Sequence, residues 1–140
     1  MIWTVEITIE NNGAKETAQL TCDNKAGNGD VTIIFTMQNG LSKTYSDSDF
    51  YRCFARTRED NTGIKFLCKG SKVNVHTSSM SSQMSLGLKA YELTLGKAAS
   101  FDDVIYIFDY DEHNLTNDSA EQRAFFRKWI ETEKNDEEEQ

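Results

Sequence analysis

Two histidines are the only side chains in this chain whose ordinary titration range reaches neutral pH, so any acid–base chemistry would start from them. His113 closes the run Asp109-Tyr110-Asp111-Glu112-His113, where carboxylates and an imidazole together offer the donors of a metal site. A calcium loop opening at Asp109 fails, however. Its sixth position is Asn114 where the turn needs glycine, and its twelfth is Ala120 where the cation needs a bidentate glutamate. His76 lies in Val73-Asn74-Val75-His76-Thr77, on what would be the wet face of a strand. A Cys–His nucleophile pair would have to bring Cys53 or Cys68 to His76. Cys68 ends an apolar run, a setting in which a free thiol serves as a small buried hydrophobe. There is no G-x-S-x-G, no glycine-rich phosphate loop followed by Lys-Ser/Thr, and no H-E-x-x-H. The expectation is therefore no catalytic residue, no metal and no cofactor; an enzyme built on His76 or His113 stands as the weakest alternative.

Binding chemistry has more to work with. Through Phe101 the chain carries eleven Lys+Arg against ten Asp+Glu; from Asp102 onward it carries four against thirteen. The whole net charge of −8 thus resides in the last 39 residues. An acidic surface repels nucleic acid and anionic membranes and attracts basic proteins. Within it, carboxylates alternate with aromatic residues, which suits recognition of Arg and Lys: planar acceptors meet the cation while a ring packs on the guanidinium. Asp102, Tyr106, Asp109, Tyr110, Asp111, Glu112 and Asp118 are the expected partner-binding residues. A competing feature is the segment 50–98, with eight basic residues against three acidic. That balance would suit a regulatory protein associated with RNA or DNA, unless those bases pair with the protein's own acids.

These residues need a frame. Trp3, Val5, Ile7 and Ile9 alternate with polar residues, as do Val31, Ile33, Phe35 and Met37, so both stretches predict strands with one buried face. Asn11-Asn12-Gly13 is a hairpin signal leading to a second strand over Ala18–Cys22, and short turns between the three imply an antiparallel meander. Ser46-Asp47-Ser48-Asp49 offers helix caps. The helix that follows would bury Phe50, Tyr51, Cys53 and Phe54, direct Arg52, Arg56 and Arg58 elsewhere, and stop at Asp60-Asn61-Thr62-Gly63. Strands are expected over 64–68, 73–77 and 88–95, while Ser78–Gly87 shows no period. Ser100-Phe101-Asp102-Asp103 fits a capping box, yet Val104–Tyr110 is β-branched and aromatic; helix and strand both remain open there, with the lean toward a short helix. A last helix, capped at Asn117, Asp118 or Ser119, carries the stripe Gln122, Phe125, Phe126, Trp129 and Ile130, with Arg123, Arg127 and Lys128 toward water.

The fold class expected is α+β: a single domain over 1–134 with an antiparallel sheet, a central helix and a C-terminal helix packed on it, followed by an acidic disordered tail at 135–140. At 140 residues a core forms without disulfides or metal. Three scattered cysteines, no secretory signal and no apolar run of membrane-spanning length imply a cytoplasmic protein with no membrane partner.

The stretch Gly63-Ile64-Lys65-Phe66-Leu67-Cys68-Lys69-Gly70-Ser71-Lys72-Val73-Asn74-Val75, then Ser79-Met80, Met84, and Gly87-Leu88-Lys89-Ala90-Tyr91-Glu92-Leu93-Thr94-Leu95-Gly96, resembles small bacterial immunity proteins of polymorphic toxins. The resemblance is to those of contact-dependent growth inhibition systems, and it spans roughly Gly63 to Asp109. It implies a protein that binds and neutralises a cognate toxin, a basic nuclease, by occluding its cationic cleft with an acidic surface. It assigns no individual contact residue.

Overall fold

The computed structural model describes residues 1–25 and 27–133 in full and continues the backbone of the last helix to Glu139. The tail expected over 135–140 lies outside the fully described residues. Strands β1 (Ile2–Asn11) and β2 (Ala14–Asp23) form a hairpin, turned by Asn12 at φ 54° and Gly13 at φ 79°. Two positive φ values are what a two-residue hairpin turn demands, and Asn-Gly meets that demand with least strain. Strands β3 (Val31–Thr36), β4 (Ser42–Asp47) and β5 (Ile64–Phe66) complete an antiparallel sheet in the order β4-β3-β2-β1-β5. Register places Tyr45, Ile33, Cys22 and Trp3 in one cross-strand row, and Phe35, Leu20 and Val5 in the next. The alternation of strand side chains sends all of these to the same face.

That face is covered by helix α1 (Phe50–Glu59), whose Asp49 cap accepts the Arg52 N–H at 2.8 Å. Phe50 packs edge-on to Trp3, and Phe54 packs edge-on to both Phe66 and Phe108. Phe54 therefore joins the large sheet to a second, three-stranded one, β6 (Val75–His76), β7 (Lys89–Glu92) and β8 (Val104–Tyr106), antiparallel in that order. One continuous core results, from Ile7 and Leu20 through Phe54 to Val75, Ala90 and Ile107. The α+β expectation is met.

The structure also resolves what the sequence left open over 101–110, and the short α-helix favoured there does not form: only 104–106 is strand, with turn following it. Phe101–Asp103 is a single 3-10 turn with a complete Ser100/Asp103 capping box, and the chain then enters β8 directly. Two elements carry no apolar signal and were not anticipated. Strand β4 is a polar sheet edge with Tyr45 as its one aromatic residue, and helix α2 (Ser79–Ser85) buries no residue. Helix α2 is instead defined by its ends: Ser78 Oγ accepts the Ser81 N–H, and Leu86 turns left-handed at φ 54°. Helix α3 (Ser119–Glu139) docks on the small sheet, not the large one. Gln122 donates to the carbonyls of Gly70 (3.0 Å) and Lys72 (2.8 Å), Trp129 donates to Lys97 O (2.9 Å), and Phe126 stacks on His76. No helix among the described residues is long and apolar enough to cross a membrane.

Candidate functional site

The acidic run of the last third divides into groups that serve the fold and groups left facing water. Asp111 belongs to the first. Its carboxylate takes Lys72 Nζ at 2.9 Å and Lys69 Nζ at 3.2 Å, and Glu92 takes the same Lys72 at 2.8 Å. Burial would push the Asp111 carboxyl up, but the His113 backbone N–H and the two ammonium groups outweigh it and hold the group well below the usual carboxylate range. Two cations and two carboxylates thus neutralise one another where the β6–β7 region meets the 110–115 loop. Glu112 is exposed, accepts the Tyr110 hydroxyl at 2.8 Å and pairs with Lys15 of β2 at 3.1 Å. Tyr110 is half exposed, its oxygen also accepting from Lys15. Tyr106 is partly buried and packs edge-on against Phe108, so it supports the core.

Asp102, Asp109 and Asp118 form the second group. All three are exposed, and among the described residues none is in an ion pair. Asp102 sits in the 3-10 turn before β8, Asp109 follows β8, and Asp118 caps the first turn of α3 by accepting the Ala120 N–H at 2.9 Å.

Five of the eight basic residues of the middle segment are paired in the same way. Lys69 and Lys72 serve Asp111 and Glu92, Lys65 serves Glu10, Arg52 serves Asp49 and Arg56 serves Asp47. Arg58, expected to point away from the core, is instead wholly buried. Its guanidinium lies over the Phe54 ring at 4.8 Å, donates through Nη2 to Gln122 Oε1 at 2.8 Å and reaches Thr116 O at 3.3 Å, while Nη1 has no partner among the described residues. Burial brings its pKa down to about 10. Arg58 stays charged at neutral pH, and no described carboxylate pairs with it. The helical wheel of α1 misled because 100° steps put Arg58 beside Phe54 and Tyr51, on the flank that α3 later covers.

A cleft of about 470 Å³ opens between α1 and α3. Arg52, Arg56 and Glu59 line it from α1, Asp47 from the end of β4, His76 from β6 with Thr77 just after it, and Ser119, Gln122 and Arg123 from the start of α3. Helical spacing alone puts Arg52 and Arg56 on one face; nothing local in the sequence signals that Arg123 and His76 join them. His76 Nδ1 lies 2.7 Å from Thr77 O, and its ring stacks on Phe126 at 4.0 Å between nearly parallel planes. Burial first, then the nearby Arg52 and Arg123, lower the imidazole below its ordinary range. The neutral tautomer therefore donates from Nδ1 and leaves Nε2 as an acceptor. The other imidazole, His113, is exposed. Cys22, Cys53 and Cys68 are buried free thiols. Among the described residues no group of three His, Cys, Asp or Glu could hold a metal ion.

No family model matches the chain, and no curated protein matches it.

Proposed function

We propose that the chain is an immunity-type protein that binds and neutralises a cognate cationic protein, a nuclease toxin, by covering its substrate cleft. The observation that carries this reading is the separation of charge. The fold pairs Lys15, Lys69 and Lys72 with Glu112, Glu92 and Asp111, yet leaves Asp102, Asp109 and Asp118 exposed and free of ion pairs among the described residues. A positive partner cleft gains attraction and fast association from such carboxylates, while an acidic or nucleic-acid competitor is repelled. The resemblance of the Gly63–Asp109 stretch to contact-dependent growth inhibition immunity proteins points the same way. The pairing of five of the eight basic residues of the middle segment with internal carboxylates favours a protein partner over RNA or DNA, because a cation already opposed by a carboxylate offers less charge to a phosphate backbone.

Co-expression with the toxin encoded beside the gene tests this directly. Survival at equal expression is expected, and continued killing removes the reading. Replacing Asp102, Asp109 and Asp118 together by lysine is expected to slow association and weaken binding, most strongly at low salt. Unchanged affinity and on-rate would place the interface elsewhere. Asp111 is left out of that variant because its loss would undermine the fold.

A further inference from the structure

From the donor groups gathered in the α1/α3 cleft we infer a binding site for a small phosphorylated ligand, its phosphoryl oxygens held by Arg52, Arg56 and Arg123 and a ligand hydroxyl donating to His76 Nε2. Counting donors against acceptors leads there. Arg52 commits Nη1 to Asp49 at 2.6 Å, Arg56 commits Nε to Asp47 at 2.7 Å, and Arg123 commits Nη1 to Ser119 Oγ at 2.9 Å. Each guanidinium has five N–H donors, so each keeps donors beyond its one side-chain bond within the protein, and all three side chains are exposed to a ligand entering the cleft.

The two carboxylates that line the cleft, Asp47 and Glu59, and the buried Asp49 beside them are each engaged within the protein. Asp49, fully buried, takes the Arg52 N–H, its guanidinium and the Ser82 hydroxyl. Asp47 takes Arg56 together with the Ser48 N–H and hydroxyl. Glu59 takes the Ser119 N–H and hydroxyl. Two or three planar forks converging on one cleft suit an acceptor with several oxygens, and a phosphoryl group is that acceptor.

A second observation is independent of those three side chains. Gln122 lines the cleft, and its amide oxygen accepts from Arg58, whose fully buried charge has no described carboxylate and whose Nη1 is unpartnered. A buried, uncompensated cation behind the cleft wall favours a negative occupant in front of it, because the intervening protein screens little. Size then narrows the class. At about 470 Å³ the cleft falls in the range of small-ligand sites and exceeds what one inorganic phosphate fills. The rest of the ligand would lie along Tyr51 and Ala55, with the His76 ring, clamped by Phe126, as its polar contact.

The test is a titration of the full chain, followed by NMR, with inorganic phosphate, ribose 5-phosphate and adenosine 5′-monophosphate, and with adenosine as the uncharged control. All three phosphates are expected to move the His76 imidazole and Gln122 side-chain signals and to raise the His76 titration midpoint; adenosine is expected to do neither. Tighter binding of the esters would assign the site to an organic phosphate, and equal binding would assign it to phosphate itself. The double substitution Arg56→Gln with Arg123→Gln removes two exposed forks and is expected to weaken binding at least about tenfold, with the amide spectrum elsewhere unchanged. The inference is overturned if about 10 mM of each phosphate, enough to occupy most of a millimolar site, leaves His76 and Gln122 unmoved. It is equally overturned if the double variant binds as tightly as the parent chain. Neither result depends on the acidic surface proposed to meet a toxin.

Discussion

Arg58 Nη2 donates to the Gln122 side-chain oxygen at 2.8 Å, tying the central helix to the C-terminal helix across 64 positions of sequence. The same Gln122 amide donates to Gly70 O and Lys72 O, so one side chain meets one donor of a buried cation and two backbone carbonyls together. Gln122→Leu keeps the volume and removes all three bonds, and it is expected to destabilise the fold by about 2–4 kcal/mol. Adding Arg58→Met should recover part of that loss, since an apolar residue no longer needs the missing acceptor. A double-mutant cycle by urea unfolding is expected to give a coupling above about 0.5 kcal/mol; additivity would mean that the bond contributes nothing.

Asp111 makes the fold sensitive to acid. Its native carboxyl is held below the ordinary value of about 3.9. The unfolded chain therefore binds the proton more readily than the native one as pH falls. The stabilisation is complete above about pH 5 and is lost progressively as pH drops through the carboxylate range toward the native pKa. Asp111→Asn is expected to flatten stability against pH between about 5 and 2, and to lower stability at neutral pH by about 2–3 kcal/mol, leaving Lys72 with Glu92 alone. Urea midpoints measured across that pH range provide the check.

Two glycines are held by what surrounds them. At Gly87, φ is +76° and an added Cβ would stand 2.9 Å from the Tyr51 backbone nitrogen, at the entry to α1. At Gly70 an added Cβ would stand 2.8 Å from Ile107 Cβ and 3.0 Å from the Ile107 carbonyl oxygen. Alanine at either position is expected to lower stability by about 1–3 kcal/mol. Alanine at Gly63, where nothing lies within 4 Å and φ is not positive, is expected to change little. Urea unfolding of the three variants measures the difference.

Cys22, Cys53 and Cys68 are each buried, with their thiol pKa values pushed up to about 12, chiefly by burial. Thiolate is the reactive form, so a thiol-specific reagent at pH 8 is expected to label none of them in the native protein and all three in denaturant. Rapid native labelling of any one would show that its surroundings open readily.

Much of the frame was legible before any coordinates, because strands with one buried face write their period of two into the chain. Trp3 to Ile9 and Val31 to Met37 alternate for that reason, and the Asn-Gly turn sets the register between β1 and β2. The stripe of α3 was equally plain, with Gln122 and Trp129 buried and Arg123, Arg127 and Lys128 exposed. What stayed hidden was whatever packing does not shape. Strand β4 is paired through its backbone, and α2 is fixed by its caps, so neither needs an apolar pattern.

The charges show the same division. Their count, and hence the acidic last third, depends on composition alone and could be read directly. Which charges remain free depends on distances between residues far apart in the chain: Lys15 to Glu112, Lys72 to Asp111, Arg58 to Gln122. Ion pairing and burial act through space over a few ångströms, and no local pattern encodes such separations. Only the packing of α3 against β6 and α1 could place Arg123 and His76 beside Arg52 and Arg56, and bury Arg58 behind them.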